Sequence, residues 1–154
     1  MKREDINPEF LTELCRGNAS AAEFVRQAVE WFHGIDDLVD EAPADELKRR
    51  KDLVAAFAAG MVVLSHDYYL RNLAALRPTL LQISQLYAVS VEWELAAEDW
   101  KRQWAEHQRH CGIELLVAVA MLCGGWNHAQ AMTKKIFEPV LEQARAEATT
   151  VKAI

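Results

Sequence analysis

The chain has little of what marks a disulfide-stabilised, secreted or membrane-spanning protein. Its three cysteines, Cys15, Cys111 and Cys123, show no CxxC spacing and cannot all pair with one another. Reduced thiols and a cytoplasmic location are therefore expected. The longest apolar run, residues 115–123, is too short to cross a bilayer. The first residues lead into no apolar segment, so neither a secretion signal nor a membrane partner is predicted.

Positive charge is scarce as well. The 17 lysines and arginines are outnumbered by 23 aspartates and glutamates, which gives a net charge of −6 at pH 7. Because binding to nucleic acid requires a basic surface, nucleic acid is not expected as a partner. A chain of 154 residues, 51% of them hydrophobic, is long enough to bury a core and fits one domain, residues 1–154.

Glycine and proline are few, six and four respectively, and no strand-like alternation of apolar and polar residues is found. The apolar residues recur instead with the helical period almost throughout. This pattern predicts an all-α fold, in which four long antiparallel helices form a bundle and a short helix precedes them.

Capping residues and helix breakers predict the boundaries of the first three helices. Asn7 and Pro8 are expected to open the short helix, which ends at Gly17. Ser20 to Glu23 has the capping-box pattern that starts a second helix. Asp45 is expected to cap the third helix, whose inward stripe is predicted to be Leu47, Val54, Phe57, Met61, Leu64 and Tyr68.

The remaining chain predicts two more long helices. Pro78 is expected to open the fourth, which ends at Cys111-Gly112 and turns inward Ile83, Leu86, Ser90, Trp93, Ala97, Trp100 and Trp104. The fifth runs from Ile113 to about Ala148, with breaks or kinks expected at Gly124-Gly125 and Pro139.

The residues that indicate chemistry are concentrated in Asp36-Asp37-Leu38-Val39-Asp40-Glu41, preceded by His33. Carboxylates one turn apart repel each other on a helix, and a bound cation would neutralise them. His33, Asp36 and Asp40 share one helix face, whereas Asp37 and Glu41 lie on the adjoining face. Mg²⁺ or Mn²⁺ is the cation that such oxygens prefer, and Mg²⁺ keeps waters with which it reaches phosphates.

One hypothesis is therefore a divalent-metal site that acts on a phosphorylated small molecule. Its metal ligands would be Asp36 and Asp40, completed by Glu98 or Asp99 from the facing fourth helix. Asp37 or Glu41 would orient the attacking water. The residues that contact substrate would be His33, Lys48, Arg49 and Asn127. The alternative is an acidic surface paired with lysine and arginine, and His107 and His110 are expected to form only a polar helix end.

Two protein families resemble this chain. Asp36-Asp37-Leu38-Val39-Asp40 is similar to the DDxxD motif of all-α isoprenoid diphosphate synthases and terpene cyclases, in which the first and last aspartates bind Mg²⁺ on a diphosphate. In size and helical build the chain resembles instead the all-α nucleotide pyrophosphohydrolases, small bundles that bind Mg²⁺ through acidic residues and usually oligomerise. That resemblance implies a Mg-dependent phosphohydrolase acting on a nucleotide or another diphosphate. The chain departs from both patterns, because it has neither the second metal motif of the synthases nor the glutamate-rich ExxE and ExxD pair of the pyrophosphohydrolases.

A second class of function is the alternative interpretation of these residues. The chain would then be a non-catalytic helical interaction or oligomerisation module, of the kind that phages also encode, with the acidic motif as a solvated surface. The tryptophan-rich fourth helix, with Trp93, Trp100 and Trp104, would supply the interface, because tryptophan is favoured at such sites. Whether the protein is an enzyme stays open at this point, and a homo-oligomer is expected.

Overall fold

The regular elements of the protein are helices. The computed structural model describes the backbone of residues 7–40 and 45–151 and the side chains of residues 7–40 and 45–138. The elements in chain order are α1 (Pro8–Leu14), α2 (Ala19–Asp40), α3 (Glu46–Ser65), α4 (Asp67–Arg71), α5 (Leu73–Glu94), α6 (Asp99–Gln108) and α7 (Ile113–Val151). The predicted all-α class is confirmed, and no strand occurs in these ranges. The finer expectation of four long antiparallel helices is not confirmed, because α4 is an extra turn and the predicted fourth helix is divided into α5 and α6.

Side-chain caps set the starts of the first three helices. Asn7 caps α1 and Asp45 caps α3, each with a side-chain oxygen that accepts a hydrogen bond from the first turn, as predicted. The prediction that Ser20 to Glu23 form a capping box is wrong. The side chain of Asn18 accepts the N–H of Ala21 at 3.1 Å instead, so α2 begins two residues earlier than predicted.

The later boundaries follow tertiary contacts more than local signals. Pro78 lies inside α5, which begins five residues earlier at Leu73. The chain leaves the helix again at residues 95–98, where the sequence predicts a continuous one. The kink expected in the last helix is present at Gly125, whose φ of 72° and ψ of −172° are outside the helical region. At Pro139 the backbone stays helical, so the predicted second break is absent.

The core lies where α1, α2, α4, α5 and α7 meet. Its largest fully enclosed side chains are Phe24, Leu14, Leu76, Leu115, Leu116 and Met132. Phe24 packs against Tyr68 and Tyr69, with ring centroids 5.7 and 6.1 Å away. Burial of each such side chain contributes about 1.5–3 kcal/mol relative to leaving it in water.

The stripe that the sequence predicts to face inward on the third helix lies on the outside. Val54 and Phe57 are 67% and 72% exposed, and Leu47, Met61 and Leu64 are exposed as well. Of the predicted stripe, Tyr68 alone is buried, and it belongs to α4. We call the exposed set Leu47, Val54, Phe57, Met61 and Leu64 the α3 stripe.

The face of α3 that packs on α2 is made of small residues. Ala56 and Ala59 line this face, and Gly60 lies beneath the ring of Trp31. A methyl group on Gly60 would come within 2.8 Å of that ring. Because both faces of α3 are apolar, the periodicity of the sequence does not indicate which face packs against the rest of the chain.

The tryptophans expected inside the bundle form a surface cluster. Trp93 and Trp104 are half-buried with ring centroids 4.9 Å apart, whereas Trp100 is exposed and meets Trp93 edge-on. Ile83 and Ser90 are buried as predicted. The break at residues 95–98 explains the difference, because it redirects α6 away from the axis of α5.

One helical stretch among the described residues, Asp99–Glu138, is long and apolar enough to cross a membrane by length and composition alone. Leu115, Leu116 and Val119 within it are completely buried in the bundle. Core helices of soluble proteins meet the same criterion, so this stretch does not decide between the two environments. The absence of a membrane partner stays a prediction.

Candidate functional site

A single guanidinium gathers the acidic groups at one end of the bundle. Nη1 of Arg109 donates to Asp36 at 2.9 Å and to the hydroxyl of Tyr87 at 3.2 Å. Nη2 donates to Asp40 at 3.0 Å and to Glu94. The side chain of Arg109 is 15% exposed, whereas the three carboxylates are about half exposed. Arg109, the first residue after α6, therefore connects the C-terminal parts of α2 and α5.

The charged groups of the cluster shift the pKa values of Arg109 and Tyr87, and their formal charges do not cancel. Burial pulls the pKa of Arg109 down, yet its hydrogen bond to Glu94 and the neighbouring negative groups outweigh burial and raise the pKa overall. Burial raises the pKa of Tyr87, and its hydrogen bond to Asp36, 2.8 Å long, raises it further. Three carboxylates around one guanidinium leave an excess of two formal negative charges.

One hydrogen-bond donor of Arg109 takes no part in these contacts. Nε of Arg109 is buried and meets no acceptor among the described residues. An unsatisfied buried donor costs about 1–3 kcal/mol, which offsets part of what the four hydrogen bonds contribute.

A cavity of about 420 Å³ opens beside this cluster, between α2, α5 and the start of α7. Its apolar wall consists of Val29, Trp31, Phe32, Ile35, Ile83 and Ile113. Asp36, Tyr87 and Arg109 form its polar end, and His33 and His110 also line it. Burial lowers the pKa of His110, which favours the neutral form of its ring.

A second cavity of about 470 Å³ lies on the other side of α2, against α3. Asp37 and Lys48 line it together with Glu30 and Asp52. The acidic hexapeptide is therefore divided, because Asp36 and Asp40 reach Arg109 whereas Asp37 lines the second cavity. The helical spacing of the motif predicts this division between two adjoining faces.

The two predicted ligands from the fourth helix lie elsewhere. Glu98 and Asp99 stand at the start of α6, where they pair with Lys101 and Arg102. Neither contacts Arg109, and Glu94 approaches it instead. The break after α5 turns Glu98 and Asp99 away from the acidic motif.

The predicted substrate-binding residues are dispersed. His33 lines the first cavity and Lys48 the second. Arg49 is exposed on α3 and lines neither. Glu41, predicted to orient water, lies outside the described residues.

Asn127 lies toward the opposite end of the bundle from the acidic motif. Its neighbour His128 bonds the carbonyl of Leu14 at 2.9 Å, before the start of α2. Asp36 is 17 residues beyond the first residue of α2, roughly 25 Å along the helix. Asn127 is therefore far from the acidic motif, because α7 begins level with the motif, at Ile113, and then runs away from it.

The geometry gives the metal hypothesis no support. In residues 7–40 and 45–138, no group of three or more histidine, cysteine, aspartate or glutamate side chains is placed to hold a metal ion. Asp36 and Asp40 approach a guanidinium, which has the neutralising role that the sequence analysis assigns to Mg²⁺. The magnesium or manganese cofactor stays a prediction.

Arg109 and Tyr87 are the site residues that sequence reasoning misses. A lone arginine between two helices has no spacing that marks it, and Tyr87 is one of many aromatic residues with helical periodicity. One usable signal exists: an excess of carboxylates near a helix end requires a cation, and arginine is the residue best suited to bind several of them at a partly buried position.

Comparisons with protein-family models, with curated proteins and with solved structures find no match to this chain. The resemblances to nucleotide pyrophosphohydrolases and to isoprenoid diphosphate synthases therefore stay predictions from short motifs and size.

Proposed function

We propose that this protein is a helical self-association module whose α3 stripe packs against the same stripe of a second copy. The α3 stripe is the observation that carries the proposal, since five large apolar side chains on one helix face are exposed to water. Monomeric soluble proteins rarely expose contiguous apolar patches of this kind, and such patches mark interaction sites. This is the interaction class that the sequence leaves open, but with α3 rather than the tryptophan-rich helix as its interface.

The spacing within the α3 stripe is that of a helix–helix seam. Val54, Phe57, Met61 and Leu64 alternate steps of three and four residues, and Leu47 continues the series one heptad earlier. Two helices with this repeat interlock side chains along a common line. In a helix of 20 residues, roughly 30 Å long, the seam is continuous from Val54 to Leu64, and Arg50 occupies the position between Leu47 and Val54.

Charge favours a second copy in antiparallel orientation. Lys48, Arg49, Arg50 and Lys51 lie at the N-terminal end of α3, where their charge is unfavourable with the helix dipole. A parallel partner would bring two such runs together. In an antiparallel pair centred on Phe57 the runs are about 15 residues, or roughly 22 Å, apart, well beyond the screening length of about 8 Å. Each run then meets the negative C-terminal end of the other α3, which Asp67 follows.

A magnesium-dependent phosphohydrolase has less support. The carboxylates that would hold the metal are hydrogen-bonded to Arg109, and three carboxylates face one cation there. An anionic phosphate would be repelled by this surplus of negative charge.

Sedimentation equilibrium of the wild-type chain tests the proposal. We expect a mass twice 17.4 kDa at concentrations above about 10 μM, with reversible dissociation on dilution. A monomer at 200 μM would refute it.

Cysteine cross-linking then tests the orientation. Arg50 and Leu64 lie seven residues on either side of Phe57, on the face of the α3 stripe, and both are exposed. A mixture of Arg50→Cys and Leu64→Cys chains should give heterodimeric disulfides, whereas each variant alone should give only the wild-type background from Cys123. Disulfides formed by Leu64→Cys alone would indicate a parallel pair and contradict the antiparallel assignment.

A further inference from the structure

We infer that the 420 Å³ cavity beside Arg109 binds a small amphiphilic amine, with an apolar or aromatic body between α2 and α5 and its ammonium group on Asp36. The inference rests on features separate from the α3 stripe, so it can fail or succeed independently of self-association.

The cavity has the size and lining of a small-molecule site. Pockets of about 300–1,000 Å³ with mostly apolar walls and a few convergent polar groups are typical of such sites. Here six apolar side chains form the wall and three hydrogen-bonding side chains meet at one end. Trp31 and Phe32, stacked at 5.5 Å, supply flat aromatic surface.

The apolar and polar lining residues occupy different parts of the cavity. Asp36 and Tyr87 bind Nη1 of Arg109, whereas Asp40 and Glu94 bind Nη2. The helices α2 and α5 therefore run in the same direction here. Val29 and Ile83 precede Asp36 and Tyr87 in their helices by seven and four residues, so they lie one to two turns below the polar end.

The charge at the polar end selects a cation over an anion. The guanidinium compensates only one of the three carboxylates that surround it. A phosphate or carboxylate ligand would meet the remaining negative charge, whereas an ammonium group would reduce it. The aromatic walls add to this preference, because ring faces attract cations.

Asp36 has an acceptor left for such a group. Tyr87 and Arg109 both donate to Oδ1 of Asp36, at 2.8 and 2.9 Å. Within the part of the chain that the structure describes, no donor reaches Oδ2. The carboxylate is thus held in place by two donors on one oxygen while the other oxygen can accept from a ligand in the cavity.

Three ligands with one body and different head groups test the inference. The probes are 4-phenylbutylamine, 4-phenylbutan-1-ol and 4-phenylbutyrate, titrated into the full chain by calorimetry at pH 7 and 0.1 M salt. We expect the amine to bind with a Kd near or below about 1 mM. It should bind at least about tenfold more tightly than the acid, with the alcohol between them.

Matched variants locate the binding. Asp36→Asn keeps an acceptor for Tyr87 and Arg109 but should remove the preference for the amine. Asp52→Asn makes the same charge change in the other cavity and should leave the preference intact. Ser84→Trp, which places a large side chain in the part of the cavity next to Ile83, should abolish binding of all three probes.

Several outcomes would overturn the inference. No binding of any probe at 10 mM would show that the cavity does not take such ligands. Equal or tighter binding of the acid, or a preference that survives Asp36→Asn, would show that Asp36 does not select a cation. Binding that survives Ser84→Trp would place the ligand elsewhere. Circular dichroism of each variant checks that it folds.

Discussion

Replacing Phe57 with glutamate should separate the two copies while leaving each chain folded. Phe57 lies at the centre of the α3 stripe and is 72% exposed in the single chain. Full burial of a phenylalanine is worth about 1.5–3 kcal/mol, so covering the exposed part contributes about 1–2 kcal/mol per copy. Two copies lose about 2–4 kcal/mol together, which raises Kd by about 30- to 800-fold, and the buried carboxylates add to this.

The chain itself should tolerate the change because Phe57 fills no space in the core. The matched control is Leu81→Glu, which places the same charge on an apolar residue of α5 that is 56% exposed and outside the α3 stripe. Sedimentation equilibrium from 1 to 200 μM measures Kd for wild type and both variants. If Phe57→Glu keeps the wild-type Kd, or if Leu81→Glu dissociates the dimer equally, the stripe is not the interface.

Three other predictions concern stability within one chain. Arg109→Met should destabilise the fold by about 1–2 kcal/mol at pH 7, because three carboxylates lose their common partner, and the loss should shrink at high salt, which screens these charge interactions. Gly34→Ala should stabilise by about 0.5–1 kcal/mol, since its α2 position has open space, whereas Gly60→Ala should destabilise by about 1 kcal/mol because the added methyl meets Trp31 at 2.8 Å. Tyr87→Phe should reduce the loss of stability above pH 10, because the raised pKa of the folded tyrosine makes the unfolded chain release its proton first.

Urea unfolding followed by circular dichroism measures these three effects at fixed chain concentration. A loss in Arg109→Met that is the same at low salt and at about 1 M salt would mean that packing, not charge, is its cause. Equal effects of alanine at Gly34 and Gly60 would contradict the close contact under Trp31. For Tyr87→Phe, an alkaline decline as steep as that of wild type would assign the decline to other groups, such as Tyr68, whose pKa burial also raises.

The helical class and most capping residues could be predicted because they depend on local signals. Asn7 and Asp45 cap helices through side chains two or three residues from the groups that they bind. The kink at Gly125 follows from a glycine in a left-handed conformation, which is again a local property. Such features require no knowledge of which helix packs on which.

The buried face of α3 and the arginine hub could not be predicted, since both depend on long-range packing. The α3 stripe has the period of a core face, and only the placement of α2 on the small-residue face leaves it outside. Arg109 is 73 residues from Asp36 along the chain, and only the break after α5 brings the two together. The acidic motif could be recognised as unusual, but its partner could not.

Because both faces of α3 are apolar, this helix also affects the behaviour of chains that have not yet folded or paired with a second copy. From Leu53 to Leu64 the helix carries no charged side chain, and a segment of this composition is prone to aggregate when it is unpaired. The charged residues from Lys48 to Asp52 and Asp67 flank it as gatekeepers. Recombinant yield should therefore depend on synthesis rate, and the Phe57→Glu chain should stay soluble at expression levels at which the wild-type chain precipitates.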